Sequence, residues 1–378
     1  MKKRVVIAMS GGVDSSVAAY LLKKQGYDVI GVTMCFGLDV GSNNLKNKPS
    51  CCGLSGINDA KRIAGQLNIP HYVINFTKEF KKYIVDDFEK EYLKGRTPNP
   101  CIRCNEFIKF NALLDKIKQY DADFLATGHY ARIGEIKNQN AKIKNYFLKK
   151  ARDHKKDQTY FLYRLTQEQL KHILFPLGNL TKEEVRIIAR EAKLSVADKP
   201  GSQEICFLSG TNYKDYFKNH FGKKIKAGLM VDVKGNVLGQ HKGLPYYTIG
   251  QRQGLGIALG KPMYVIKIDI KNNTVVVGDD KDRYSYGLIA KNPIFIGAQN
   301  ARRSANGLVT DYTKNSKLVL SAKIRYNQKE AKAKITSFYN NKIKVLFDKP
   351  QNSITPGQAV VFYKKDIVLG GAIIEKVV

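Results

Sequence analysis

The stretch that most constrains the fold is Arg4-Val-Val-Ile-Ala-Met9, followed by Ser10-Gly11-Gly12-Val13-Asp14-Ser15-Ser16 and then Val17 to Gly26. An unbroken apolar run of this length reads as a strand buried on both faces, as in a parallel sheet. Val17, Tyr20 and Leu21 then repeat at helical spacing until Gly26 supplies a stop. The small residues in between make a tight turn at a helix start, where unpaired amides and a partial positive charge suit an anion. No Lys-Ser/Thr pair follows the glycines, so this is not a Walker loop. The third glycine of a dinucleotide fingerprint is also missing. Asp14 would repel a bare polyphosphate, which predicts a divalent cation, Mg2+, between the two.

The same grammar continues through the first two hundred residues. Strands are expected at Asp28–Met34, His71–Asn75 and Phe124–Thr127, and helices near 57–67, 78–94 and 104–119. Thr181-Lys-Glu-Glu184 is a capping-box pattern opening a helix through Ala192. Residues 37–56, rich in glycine, asparagine and lysine, read as a mobile loop. Alternating strands and helices predict an α/β doubly wound parallel sheet with its ligand at the carboxyl ends of the strands. Past residue 211 glycines become frequent, and beyond 275 short strands separated by turns predict a small β-barrel. The expected division is 1–208 for the nucleotide-binding domain, 209–276 for a central domain and 277–378 for the C-terminal barrel.

Charge narrows the partner. Lys and Arg outnumber Asp and Glu 64 to 33, a net +31. That excess repels itself unless a polyanion offsets it, which puts nucleic acid ahead of an anionic membrane surface. Residues 281–378 alone carry 18 Lys or Arg against 6 Asp or Glu, so the barrel reads as a platform for an RNA backbone. No run of 18 apolar residues occurs, and the expected location is the cytoplasm, with no membrane partner. In that reducing compartment the six cysteines should be thiols. Cys101 and Cys104 follow two prolines in Thr97-Pro98-Asn99-Pro100-Cys101-Ile102-Arg103-Cys104-Asn105. Cys104 falls at an expected helix start, where the dipole and Arg103 would favour its thiolate. Taken singly, a cysteine is more often an inert small hydrophobe. Half a zinc site is a further option, though no second pair at zinc spacing follows.

Ser-Gly-Gly-Val-Asp-Ser-Ser resembles the PP-loop of ATP pyrophosphatases, which cleave ATP to AMP and pyrophosphate while adenylating an oxygen. Four segments together resemble the tRNA-specific 2-thiouridylase family over nearly the whole chain. They are Met9–Ser16, Gly95–Phe110, Thr127-Gly128-His129-Tyr130-Ala131 and Lys156-Asp157-Gln158-Thr159-Tyr160-Phe161-Leu162. Gly201–Phe207 and Pro356-Gly357-Gln358 reinforce the match. The resemblance implies ATP-dependent 2-thiolation of the wobble uridine of tRNA. A protein persulfide supplies the sulfur, replenished by a sulfur-relay protein or a cysteine desulfurase.

By motif, Cys206 matches the persulfide-bearing cysteine and Cys104 the second catalytic cysteine. Met9, Ser10, Gly11, Gly12, Val13, Asp14, Ser15, Ser16, Met34 and Gly128 match ATP-contacting positions. Asn99, Pro100 and Cys101 match the segment that touches the target base. His129, Lys156, Asp157, Gln158, Arg325, Tyr326 and Gln358 match tRNA-contacting positions. Where many members have Asp, this chain has Cys101, and the resemblance therefore also allows a [4Fe-4S] cluster on Cys101, Cys104 and Cys206 with one iron left open. Cys35, Cys51 and Cys52 receive no role. Two alternatives stay open at this level. One is another PP-loop tRNA-modifying enzyme, acting on a different thiolated base or of lysidine type; the other is a non-catalytic RNA-binding protein.

Overall fold

A computed structural model describes residues 2–37, 54–137, 144–201, 205–208, 211–257, 260–296 and 320–378. The expected loop at 37–56, together with Cys51 and Cys52, lies almost wholly outside these residues, as do Ser202, Gln203 and Glu204. The chain divides into two compact units. One comprises Met1–Ile84, Pro100–Gly210 and Asp366–Leu369, the other Val85–Asn99, Thr211–Lys365 and Gly370–Val378.

The first unit holds the parallel sheet. Strands β1 (Arg4–Ala8), β2 (Asp28–Cys35), β3 (His71–Asn75) and β4 (Phe124–Thr127) fall where the apolar runs place them. The hairpin strands β5 (Ala131–Lys137) and β6 (Lys144–Lys150) and the two-residue β7 (Ile173–Leu174) carry too little pattern to be foreseen. The sheet order is β3-β2-β1-β4-β7, and every pair is parallel. β1 lies at the centre, with Val5, Val6 and Ile7 fully buried. Burying each such side chain stabilises the fold by about 1.5–3 kcal/mol relative to exposure. The helix Val13–Lys24 packs Val17, Ala18 and Leu22 into the same core as Val5 and Ile7. The helix Lys182–Glu191 opens on the predicted box: Thr181 Oγ1 accepts from Glu184 N at 3.2 Å, and Glu184 Oε2 accepts from Thr181 N at 2.7 Å.

Two helices differ from the simple reading. Thr77–Phe80 runs into a π-helical turn, Lys81–Val85, before Asp86–Leu93. The expected helix at 104–119 begins earlier, at Pro100, and Cys104–Ala112 is π-helical before Leu113–Ile117 resumes the α form. Pro100 suits a first helical position because it has no amide hydrogen to leave unpaired.

In the second unit, β8 (Gly228–Val231), β9 (Val237–His241), β10 (Tyr264–Asp269) and β11 (Thr274–Gly278) form a four-stranded sheet ordered β10-β11-β8-β9. Met230, Val265, Val275 and Val277 form its core. The six remaining strands are β12 (Tyr284–Phe295), β13 (Leu320–Lys323), β14 (Ala331–Tyr339), β15 (Lys342–Asn352), β16 (Ala359–Lys364) and β17 (Ile367–Val377). They run in the order β12-β15-β14-β13-β16-β17, and pairing of β12 with β17 closes the barrel that the turn-spaced strands predict. The segment 85–99 belongs to this unit: Phe88 stacks on Phe217 at 5.9 Å and Tyr92 tilts against Tyr213 at 5.3 Å.

Candidate active site

At the carboxyl end of β1 the chain enters the glycine turn and then the helix. Gly11 has φ +68°, and a Cβ there would lie 2.3 Å from Gly56 O, so only glycine fits. Gly128, at the end of β4, approaches the helix start closely enough that its Cβ would sit 2.8 Å from Ser15 N. The serines hold the turn from inside. Ser15 Oγ accepts from Ser10 N at 3.2 Å and donates to Gly12 O at 3.1 Å, while Ser16 Oγ donates to Gly12 O at 2.9 Å. Gly12, at the N-cap, brings no side-chain hydrogen bond to the first turn. That leaves the first-turn amides aimed at whatever occupies the end of the sheet.

Charges around the turn come from residues that sequence spacing did not flag. Lys182 Nζ lies 2.5 Å from Asp14 Oδ1, which also accepts from Tyr130 Oη at 2.8 Å. Burial, reinforced by Asp14, pushes the Tyr130 phenol far up, so it stays a donor. On the other flank, Lys199 Nζ is 2.5 Å from Asp59 Oδ2 and donates to Gly11 O at 3.1 Å. Nothing local to Lys182 or Lys199 in sequence marks them, because they reach the turn from 168 and 188 residues away.

A cavity of about 290 Å³ opens beside this turn. Met9, Ser10, Asp14, Ser15, Met34 and Gly128 line one part of it, and Pro100, Cys101, Cys104, Lys109 and Cys206 another, with His129 and Gln158 also in the wall. Cys101 is exposed, Cys104 buried and Cys206 half-buried. Cys206 opens the short helical turn Cys206–Leu208. Phe207 rests on Phe80 at 6.0 Å, and Phe80 in turn stacks on Phe36 at 4.2 Å. The expectation that Cys104 sits at a helix start is corrected. The helix starts at Pro100, and Arg103 Nη1 goes to Glu106 at 3.2 Å, with its guanidinium 5.6 Å from the Phe107 ring. Among the described residues no group of three or more His, Cys, Asp or Glu is gathered so as to hold a metal ion. The three cysteines share a cavity but, as arranged, do not form a cluster's ligand set.

The positions matched to tRNA contact divide by environment. Lys156 is exposed. Asp157 turns inward, accepting from Ala151 N at 3.0 Å and Thr159 Oγ1 at 2.7 Å. Gln158 Oε1 accepts from Tyr130 N at 2.9 Å. His129 is half-buried and shares a 2.7 Å hydrogen bond with Thr127 Oγ1; desolvation, then the nearby Lys109, pushes its pKa well down, so it is neutral. In the barrel unit, Arg325 Nη2 donates to Ser353 O at 2.5 Å and to Thr355 Oγ1 at 2.6 Å, and Tyr326 beside it is half-buried. Gln358 Nε2 donates to Thr97 O at 2.8 Å, and Thr97 N donates to Pro356 O at 2.9 Å. Gly357 at φ +94° makes this possible, since a Cβ there would meet the Thr97 backbone at 2.9 Å. The barrel segment 356–358 thus grips the chain just before Asn99.

Strand, glycine turn and cradle define a PP-loop nucleotide fold, an ATP-using class. Comparison with known proteins narrows it. Residues 3–210 match the tRNA methyl transferase HUP domain, 214–279 the tRNA methyl transferase PRC-barrel domain, and 287–374 the aminomethyltransferase beta-barrel domain. The tRNA-specific 2-thiouridylase MnmA of Acetivibrio thermocellus is 50% identical over 374 residues, covering 99% of each chain. The protein of that name from Clostridioides difficile is 50% identical over 376 residues, covering 100% of this chain and 99% of its own. The chain belongs to the tRNA-specific 2-thiouridylase family. Among solved structures, a 4-thiouridine synthetase–RNA complex with bound ATP is 16% identical, with TM-score 0.33, over 55% of this chain and 46% of that one, too distant to carry an argument. No helix among the described residues is long and apolar enough to cross a membrane.

Proposed function

We propose that this protein uses ATP to replace the C2 oxygen of a tRNA wobble uridine by sulfur. The observation that carries the reading is one cavity lined by both the PP-loop and two widely separated cysteines, Cys104 and Cys206. The uridine C2 oxygen attacks the α-phosphorus of ATP, and pyrophosphate leaves. A carbonyl oxygen that could not depart is thereby turned into AMP, which can. The terminal sulfur of a Cys206 persulfide anion attacks C2, the C2–O bond breaks, and its electron pair goes to AMP. Cys104 thiolate then attacks Cys206 Sγ, forming a Cys104–Cys206 disulfide and releasing the thiouridine. A small thiol reductant resets the pair.

Met9–Ser16, Met34 and Gly128 hold the nucleotide in this reading. Asp14 would be the carboxylate that holds Mg2+ brought in with ATP, where the ion would offset the charge of the departing pyrophosphate. Asn99, Pro100 and Cys101 meet the target base, extruded from its loop for chemistry. Lys156, Arg325, Tyr326 and Gln358 contact tRNA, with His129, Asp157 and Gln158 supporting the base pocket. The divisions 1–208, 209–276 and 277–378 then separate chemistry, central contacts and backbone binding. A sulfur-relay protein or cysteine desulfurase loads Cys206 in the cytoplasm. Mass spectrometry of tRNA nucleosides tests this: the purified chain, given ATP, Mg2+, a low-molecular-weight cysteine persulfide and tRNA lacking thiolation, should form 2-thiouridine. Formation of another thiolated base, or ATP-independent formation, would overturn it.

A further inference from the structure

Sulfur transfer in this cavity brings two anions together, and the wall offers little to offset them. The persulfide attacks as an anion, and the adenylate it attacks already carries a phosphate charge. As the C2–O bond breaks, AMP gains a second charge, so the charge that the persulfide brings moves onto the phosphate during this step. Of the acidic and basic groups around the cavity, Asp14 adds a negative charge and is already held by Lys182. His129 is half-buried and neutral, its pKa pushed well down by desolvation and the nearby Lys109. Lys109 is the one Lys or Arg among the described lining residues.

The helix geometry puts it there. In an α-helix, the residues stacked over Cys104 would be those three and four positions on, Phe107 and Ile108. Phe107 instead stacks on Tyr83 at 4.8 Å, and Ile108 is fully buried. Cys104–Ala112 is π-helical, and a ladder that closes five residues on brings Lys109 round to the side of Cys104. The two side chains accordingly line one cavity.

We infer that Lys109 is a catalytic residue of the sulfur-transfer step, its ammonium contacting the phosphate of the adenylated base and neutralising the charge that AMP gains as it departs. The inference rests on the thiolation reading above. Preorganised cations act most strongly where charge develops, so the effect belongs to the second step and not the first.

The two steps are read separately on full-length Lys109→Met, Lys109→Gln and Lys109→Arg proteins. Pyrophosphate release from ATP and tRNA, with no sulfur source, reports adenylation. Adding a low-molecular-weight cysteine persulfide and following 2-thiouridine in a single turnover reports transfer. The Met and Gln variants should slow transfer by about 100-fold while adenylation changes by less than about threefold, and Arg should recover most of the loss. Equal slowing of both steps would make Lys109 a ground-state ATP contact and overturn the inference, as would no slowing of either. If Met does not fold, the Gln and Arg pair decides by the same criterion. Absence of adenylation in the unaltered protein would instead fault the thiolation reading itself.

Discussion

β1 and β15 show how differently the two units use their residues. In β1 three successive side chains, Val5, Val6 and Ile7, are fully buried, because helices cover both faces of a parallel sheet. In β15 burial alternates: Ile343, Val345 and Phe347 face the barrel interior, while Lys342 and Lys344 face out. A strand buried on both faces can present function only at its end, and β1 does so in Met9 and the serine–glycine turn. A barrel strand can present function along its length, on the outward face. The nucleotide unit therefore concentrates its chemistry in one cavity, whereas the barrel spreads positive charge and spends its special residues on holding loops.

The sharpest break of that contrast is chemical. Cys206→Ser should abolish 2-thiouridine formation, a loss above about 10⁴-fold, while pyrophosphate release persists. Cys104→Ser should still accept labelled sulfur at Cys206 yet fail to turn over. A Cys206→Ser protein that thiolates tRNA would show that the cavity's two halves do not work together. Next in size is Gly357→Val. Its Cβ would press on the Thr97 backbone from a left-handed conformation, so unfolding free energy should fall by about 1–3 kcal/mol, read by denaturant melts. Unchanged stability would mean that the grip on 97–99 is not what the barrel supplies. Comparable in size, and split between two readouts, is Arg325→Met. Lost hydrogen bonds to Ser353 and Thr355 should cost about 1–3 kcal/mol. If Arg325 also meets tRNA, the slope of log Kd against log salt should flatten by about one phosphate. Full stability would remove its internal role, and an unchanged slope its contact with RNA.

Much of the first unit was legible because its signals are local. The apolar runs gave β1 to β4, and Thr181 with Glu184 gave a helix start. Ser-Gly-Gly-Val-Asp-Ser-Ser gave the turn. What escaped is non-local or irregular. Lys182 and Lys199 meet the turn only through the fold. The π-helical register after Cys104 leaves no mark in residue type, and the helix start was placed four residues late. In the barrel, Gln358 and Arg325 could be matched as RNA contacts from motif alone. Their hydrogen bonds to Thr97 O and Ser353 O need coordinates.

The segment 85–99, which packs with the second unit although it falls between two stretches of the first in sequence, sets an order of events during synthesis. Phe88 and Tyr92 find their aromatic partners at Tyr213 and Phe217, more than a hundred residues later. On the ribosome those rings must wait, exposed, until that part of the chain has emerged. During this interval the nascent protein is most open to chaperones and to aggregation.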